Sequence, residues 1–409
     1  MKIITIFFVV SAMVLLTAAV IASIMDLIKK PKKNEKNRKR SHKAQDTDSN
    51  MLLQQCCISW LDAGCSPDAA ELVMSKYKKG ELSDPKAFSY AEDLQYCNDI
   101  EELLTRFHVE EGPSDKKKRS DWKNAVYGAM YGDIIGSMYE GRKIDNIDSA
   151  VNDPDQPACR LTDDSILTAA TLSVEKNAED IIYSNRSIRL EDIGCDSSYP
   201  LLNNPYTKAY RDMALKYPTA GYGSNFSVWA ANSGTKPYGS LGNGSAMRIS
   251  PVGALYDEQD EVIERAAVSA VATHNHIEGV KGAVVTAVCI WMARKGYSKK
   301  QIYRYMVKHY SYGASTHLFT DFSYEEASKR KVNQVECSYS VPAAVISFYK
   351  SKDYMDAIRL SACVGYDTDT NACICGGIAG AYYGIPAEAR KVVKKKLEET
   401  FGCDPVEDF

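Results

Sequence analysis

The chain has 409 residues, 45% of them hydrophobic and 25% charged, enough for one large globular domain with appendages. Its net charge of −3 conceals an asymmetry: residues 29–43 hold nine Lys/Arg against one Glu, a net +8, which leaves −11 on the remainder. An acidic body excludes broad nucleic-acid binding, which needs a basic surface, and no specific nucleic-acid partner is expected.

Ile3 to Met25 is an apolar run without a charged residue, long enough to span a bilayer as a helix. Lys29, Lys30, Lys32, Lys33, Lys36, Arg38, Lys39 and Arg40 follow, with only Lys2 upstream. The positive-inside rule then predicts a single-pass membrane protein with its body on the cytosolic side. Ala18, Ala19 and Ala22 keep a cleaved signal peptide, and so a secreted body, as the alternative. Residues 1–28 thus form the predicted transmembrane anchor and 29–50 a basic, disordered tether. Residues 51–111 carry helical patterns around Leu52–Leu61, Ala69–Tyr77 and Ala91–Phe107, a small helical appendage without recognisable chemistry. Gly112–Ser120, with Gly, Pro and a charge run, marks the predicted domain boundary. The chain has twelve cysteines, and Cys289, Cys363, Cys373 and Cys375 lie inside apolar runs. They read as buried, reduced thiols, and Cys373-x-Cys375 lacks the second pair a zinc site needs.

From residue 122 to 403 helical signals dominate and no regular β–α alternation occurs, so an all-α domain is predicted. Residues 278–295 are apolar on nearly every face and read as a buried central helix stopped by Gly296. Ser298 caps a helix over Gln301–His309, Asp353 caps the next, and Pro386 opens the last. Gly376, Gly380 and Gly384 recur every fourth residue, which permits close helix packing and fixes the helix behind Asp367 and Asp369.

Five segments carry candidate chemistry. Two are acidic and rich in hydroxyls: Thr162-Asp163-Asp164-Ser165 and Asp367-Thr368-Asp369-Thr370. Separately, the first reads equally as a Thr-capped helix start and the second as a loop with Asx turns. Together they supply oxygen donors without Cys or His, the set that suits hard divalent cations, Mg²⁺ first and Mn²⁺ second. Brought together by the fold, they would hold two ions and activate water. The third segment, Gly128 to Glu140, predicts a tightly packed helix leading into a loop; no strand precedes it, which rules out a dinucleotide-binding turn. The fourth, Gly242-Asn243-Gly244-Ser245, offers backbone N–H groups to a phosphate, or is an ordinary Asn-Gly turn. The fifth, Thr273-His274-Asn275-His276, sets two histidines at i, i+2, a poor joint metal site on a helix; one ligand-contacting and one structural His is the expectation.

These five segments, in this order and at these intervals, resemble the ADP-ribosylglycohydrolase family, which includes the ADP-ribosyl-acceptor hydrolases and the dinitrogenase-reductase-activating glycohydrolases. Ala220–Gly223, Ser340–Ala344 and Gly377–Pro386 extend the resemblance, which covers about residues 122–400. It implies a compact all-α domain, here 122–403, with a two-metal centre in a cleft. It implies Thr162, Asp163, Asp164, Asp367, Asp369 and Thr370 as metal ligands. Glu140 and Asp164 are implied in catalysis; Gly242, Asn243, Gly244, Ser245 and His274 in substrate binding. Tyr366 departs from the Gly common in relatives, a change expected to narrow the cleft or reshape acceptor choice. The implied reaction is metal-dependent hydrolysis of the bond between ADP-ribose and a protein or small-molecule acceptor. The alternative is a non-catalytic, membrane-tethered ADP-ribose binder.

Overall fold

The computed structural model describes residues 106–115, 120–141, 148–176, 204–232, 237–310 and 335–408, all within one compact unit, Asp99–Phe409. The described helices are α1 Lys123–Ser137, α2 Asp148–Asn152, α3 Asp163–Lys176, α4 Pro205–Lys216, α5 Ser224–Ala231, α6 Gly244–Met247 and α7 Ser250–Leu255. They continue with α8 Gln259–Val271, α9 Ile277–Lys295, α10 Lys299–Tyr310, α11 Cys337–Lys350, α12 Tyr354–Cys363, α13 Thr368–Tyr383 and α14 Ala387–Phe401. Among the described residues there is no strand, only an isolated antiparallel bridge between Gly242 and Glu336, so the domain is all-helical as its patterning requires. The predicted span Ile3–Met25, the tether 29–50 and most of the 51–111 segment lie outside the described residues. Among the described residues no helix is long and apolar enough to cross a membrane.

Two helices form the axis of the domain. On α1, Gly128, Gly132 and Gly136 recur every fourth residue and face Gly376, Ala372 and Thr368 of α13. A Cβ at Gly132 would sit 2.0 Å from the Ala372 carbonyl oxygen, one at Gly136 2.3 Å from that of Thr368, and one at Gly376 2.2 Å from that of Gly128. The backbones therefore touch directly, and only glycine satisfies the contact. Of the predicted small-residue face, Gly376 and Gly380 serve this contact, whereas Gly384 ends α13 as its C-cap at φ 80°. Thr368 Oγ1 closes the end of the contact by donating to the Gly136 carbonyl at 2.7 Å.

Against α13 packs α9, buried without interruption from Ile277 to Arg294, as its apolar pattern predicts. His276 opens it, its side chain accepting from the Glu278 N–H at 3.2 Å, and Gly296 closes it at φ 91°, a left-handed conformation that favours glycine. A capping box starts α10: the Ser298 N–H donates to Gln301 Oε1 at 3.0 Å and the Gln301 N–H donates to Ser298 Oγ at 3.3 Å. Asp353 caps α12 by accepting from the Asp356 N–H at 2.8 Å. On the opposite flank, α3, α4 and α5 share Leu167, Tyr206, Tyr210, Phe226 and Trp229; burial of such large side chains contributes about 1.5–3 kcal/mol each. The end of the 51–111 segment packs on the body too. Phe107 is buried, stacks on His309 and accepts at its carbonyl from the Tyr305 hydroxyl at 2.8 Å.

Cys289, Cys373 and Cys375 are buried free thiols, as expected. Cys363 is not: it ends α12 on the exposed side, because α12 buries one face, through Ala357, Ile358, Ser361 and Ala362.

The α1–α13 contact predicts the effect of one methyl group. Gly132→Ala should cost about 3 kcal/mol, at the upper end of overpacking because a carbonyl cannot rotate aside, measured by chemical unfolding. Gly112→Ala, where nothing lies within 4 Å, should be near neutral.

Candidate active site

The axis delivers one carboxylate from each partner. Asp133 follows Gly132 on α1, and Asp369 lies in the first turn of α13. Asp164, in the first turn of α3, joins them; one oxygen from each of the three lies within 4.8 Å of the others, and all three are buried. The acidic segments therefore meet: Thr370 Oγ1 donates to Asp164 Oδ2 at 3.3 Å across 206 positions of sequence.

Asp133 was not a predicted site residue. Its carboxylate accepts from the Thr162 N–H at 2.9 Å, the Thr162 hydroxyl at 2.6 Å, the Ser165 N–H at 3.2 Å and the Ser165 hydroxyl. It thus caps α3 from another helix and sets where Asp163 and Asp164 stand. The signal was present: an acid between two glycines in the apolar run Gly132-Asp133-Ile134-Ile135-Gly136 must be buried, and a buried charge needs partners. Thr162 also caps α3 locally, its Oγ1 accepting from the Asp164 N–H at 3.3 Å. The helix-cap and ligand readings of this segment are compatible.

Asp164 is the opposite case. Its Oδ1 is buried with no hydrogen-bond partner among the described residues. An unsatisfied buried carboxylate oxygen is costly, and a cation is the partner that removes the cost. The buried ion pairs of the described residues lie elsewhere, at Glu175–Arg265 and Glu278–Lys281. Burial, then the Asp133 and Asp163 charges, hold the Asp164 carboxyl well above the usual range. Burial, then Asp367 and Asp164, do the same to Asp369. Asp163, at the half-buried rim, is pushed up to about 8 by burial and by Asp133 and Asp367. Asp133 reaches only about 6, because the Ser165 and Thr162 hydrogen bonds oppose burial. All-oxygen donors, a bare inward oxygen and mutually raised carboxyls fit a hard divalent cation.

Asp367 stands at the N-cap position of α13, at the half-buried rim, and its side chain accepts not from the helix but from Asn243 Nδ2 at 2.6 Å. Asn243 also donates to Ser340 Oγ of α11 at 2.8 Å, tying the Gly-Asn-Gly loop to both elements. The bridge to Glu336 and the Asn243 N–H bond to the Val335 carbonyl at 2.8 Å fix the loop backbone. Ser245 is turned inward, its hydroxyl donating to the Gly279 carbonyl at 2.7 Å. His274 and His276 lie in the link between α8 and α9, not on a helix as the i, i+2 argument assumed. His276 is the structural one, capping α9, whereas His274 lies beside Gly242 and Gly244. Glu140 stands exposed on the turn after α1; partial burial and Asp367 raise its carboxyl pKa, and Arg160 opposes them.

Tyr366, directly before Asp367, has φ 64° and is the sole non-glycine with positive φ among the described residues. It is half-exposed, and its carbonyl accepts from the Gly141 N–H at 2.8 Å, which joins the Asp367 loop to the turn carrying Glu140.

The family profile described as ADP-ribosylglycohydrolase matches residues 114–404. The chain is similar to an uncharacterised protein of Archaeoglobus fulgidus, 24% identical over 306 residues, 68% of this chain and 93% of that one. It is similar to human ADP-ribosylhydrolase ARH3, 23% identical over 328 residues, 65% of this chain and 86% of that one. Among solved structures, one described as an ADP-ribosylglycohydrolase-related protein complex aligns with TM-score 0.47 and 19% identity, over 70% of this chain and 96% of that one. The chain belongs to the ADP-ribosylglycohydrolase family.

Two predictions arise here. Carboxyls whose folded pKa exceeds the unfolded one bind more protons when folded, so their ionisation opposes folding. Without divalent cations, the melting temperature should therefore fall as pH rises from about 4, the ordinary carboxylate value, to the Asp163 value of about 8. Magnesium should reverse the fall and stabilise more at the upper pH, by about 1–3 kcal/mol at saturating concentration, read by thermal denaturation. Tyr366→Gly should stabilise the fold by about 1 kcal/mol, through relief of a left-handed backbone, read by chemical unfolding.

Proposed function

We propose that the protein is a divalent-metal-dependent hydrolase that cleaves the glycosidic bond between ADP-ribose and an acceptor, removing an ADP-ribosyl modification from a protein or small molecule. The observation that carries this reading is the bare, buried Oδ1 of Asp164, set among Asp369, Thr162 and Thr370 and linked through Asp367 and Asn243 to the Gly-Asn-Gly loop. Membership of the family and similarity to proteins named ADP-ribosylhydrolase support it.

Thr162, Asp163, Asp164, Asp367, Asp369 and Thr370 are the residues that would hold two ions, Mg²⁺ by preference. Bound there, the ions would supply Lewis-acid polarisation and a water of lowered pKa. The chain's own groups do the rest. Asn243 and its flanking glycines, with His274, orient the ribose and diphosphate, converting part of the reaction's entropic barrier into binding. The ring of carboxylates favours the positive charge of an oxocarbenium-like transition state. Glu140 moves the proton: partial burial and Asp367 raise its pKa, which brings an exposed carboxyl closer to the neutral range of an acid–base catalyst. Asp164 contributes through the same centre. Tyr366, half-exposed directly before Asp367, is assigned to acceptor choice. The proposal includes single-pass anchoring through Ile3–Met25 with the helical body on the cytosolic side, on the strength of the Lys/Arg cluster at 29–40.

Asp367→Asn and Asp164→Asn should each lower release of ADP-ribose from ADP-ribosylated peptide by at least about a thousandfold, with the fold intact by circular dichroism. Chelation of divalent cations should do the same reversibly. Full activity in Asp367→Asn or in chelated protein would overturn the metal role. Tight retention of the label without turnover would convert the reading to a binding module.

A further inference from the structure

Arg248 takes no part in the acidic centre, yet it is fully buried, and among the described residues no carboxylate pairs with it. Its guanidinium lies 3.8 Å from the Tyr210 ring centroid, a cation–π contact that replaces part of the lost hydration. Nη2 donates to the Ser269 carbonyl at 3.3 Å and to Thr273 Oγ1 at 2.8 Å. Thr273 Oγ1 in turn lies 2.7 Å from His274 Nδ1.

This chain has a direction. A guanidinium has donors only, so Thr273 Oγ1 accepts from Arg248. The hydroxyl keeps one hydrogen, and among the described residues His274 Nδ1 is the acceptor within its reach. With that hydrogen directed at Nδ1, its acceptor here, the nitrogen is unprotonated and the imidazole proton sits on Nε2. That edge of the ring faces the loop. A Cβ at Gly244 would lie 3.2 Å from both Cε1 and Nε2 of His274, and one at Gly242 3.7 Å from Nε2. The glycines leave open the space in front of the nitrogen, and Nε2 makes no hydrogen bond within the described residues.

We propose that Arg248, acting through Thr273, holds His274 as the neutral Nε2–H tautomer, a hydrogen-bond donor to a ribose or phosphate oxygen bound beside the Gly242–Gly244 loop. Arg248 and Thr273 are positioning residues; His274 is the group that touches the ligand. The proposal rests on the reading that this loop receives the ADP-ribosyl group. Burial, aided by the Arg248 charge, holds the His274 pKa well below its usual value, so the ring stays neutral and the donor stays single.

The tautomer is observable without turnover. In the full chain labelled with ¹⁵N-histidine, long-range ¹H–¹⁵N correlation should show His274 neutral and protonated at Nε2, its resonances assigned by their loss in His274→Gln. Addition of ADP-ribose should shift the Nε2–H signal. Thr273→Val should admit the Nδ1–H form and weaken ADP-ribose binding about tenfold, the effect of one hydrogen bond lost. Thr273→Ser, which keeps the hydroxyl, should retain both tautomer and affinity, and it serves also if the valine variant does not fold. A wild-type His274 protonated at Nδ1, or doubly protonated at neutral pH, would overturn the proposal. So would an Nε2–H signal that ADP-ribose leaves unmoved. Loss of the hydrolase reading would appear separately, as ADP-ribose binding and an intact tautomer without bond cleavage.

Discussion

The site depends on two helices touching through their backbones. Helices that meet through ordinary side chains keep their axes about 8–10 Å apart. Gly128, Gly132 and Gly136 remove the side chains from one face of α1, and carbonyl oxygens of α13 occupy the space that Cβ atoms would fill. Asp133 and Asp369 are attached to that contact, one beside Gly132 and one against Gly136. Their carboxylates approach each other because the helices do. An added methyl would not merely loosen the core; it would move the acidic groups apart. The same contact explains why both segments look like packing motifs in sequence and yet carry chemistry.

Proximity alone would make Asp133, Asp164 and Asp369 equal candidates to hold a cation. Their hydrogen bonds separate them. Asp133 accepts four, from Thr162 and Ser165, so its charge is already engaged and its lower pKa follows. Asp164 Oδ1 accepts none. Asp133 is therefore the organiser of the α3 terminus, and Asp164 is the oxygen left for a ligand. The division matters for stability as well. A half-satisfied cluster of buried acids opposes folding unless it is protonated or neutralised, so the centre and the fold are coupled through the same carboxylates.

Most of the scaffold was legible from residues 122 onward, because its signals are local. The uninterrupted apolar run of α9, the Gly296 stop, the Ser298 and Asp353 caps and the four-residue glycine spacing each follow from periodicity or end chemistry. The acidic segments and Asn243 were legible as motifs, and their convergence is what the fold adds. Asp133 is a single charge inside a segment that reads for its glycines, Arg248 lies just past another, and their partners, Thr162 and Thr273, come from elsewhere in the sequence. His274 and His276 were placed on a helix because the link between α8 and α9 carries no Gly or Pro to mark it. Cys363 was misjudged because an apolar neighbourhood in sequence does not say which face of α12 turns outward.

The hydroxyls among the acids carry a further consequence. Thr370 donates to one oxygen of Asp164 and leaves the other bare. A carboxylate held by a donor at Oδ2 has its plane fixed, so Oδ1 points in one direction before any ligand arrives. Threonine suits the task better than serine, because its branched Cβ restricts χ1 and the hydroxyl seldom wanders from its acceptor. Asp367 is oriented in the same way by Asn243, itself anchored on Ser340. The Asp164 and Asp367 carboxylates are thus each aimed by a neutral donor, and among the described residues no basic side chain pairs with either. Neutral orienting groups around unneutralised acids are what a preorganised cation site requires, and a purely structural acidic cluster would gain more from a lysine.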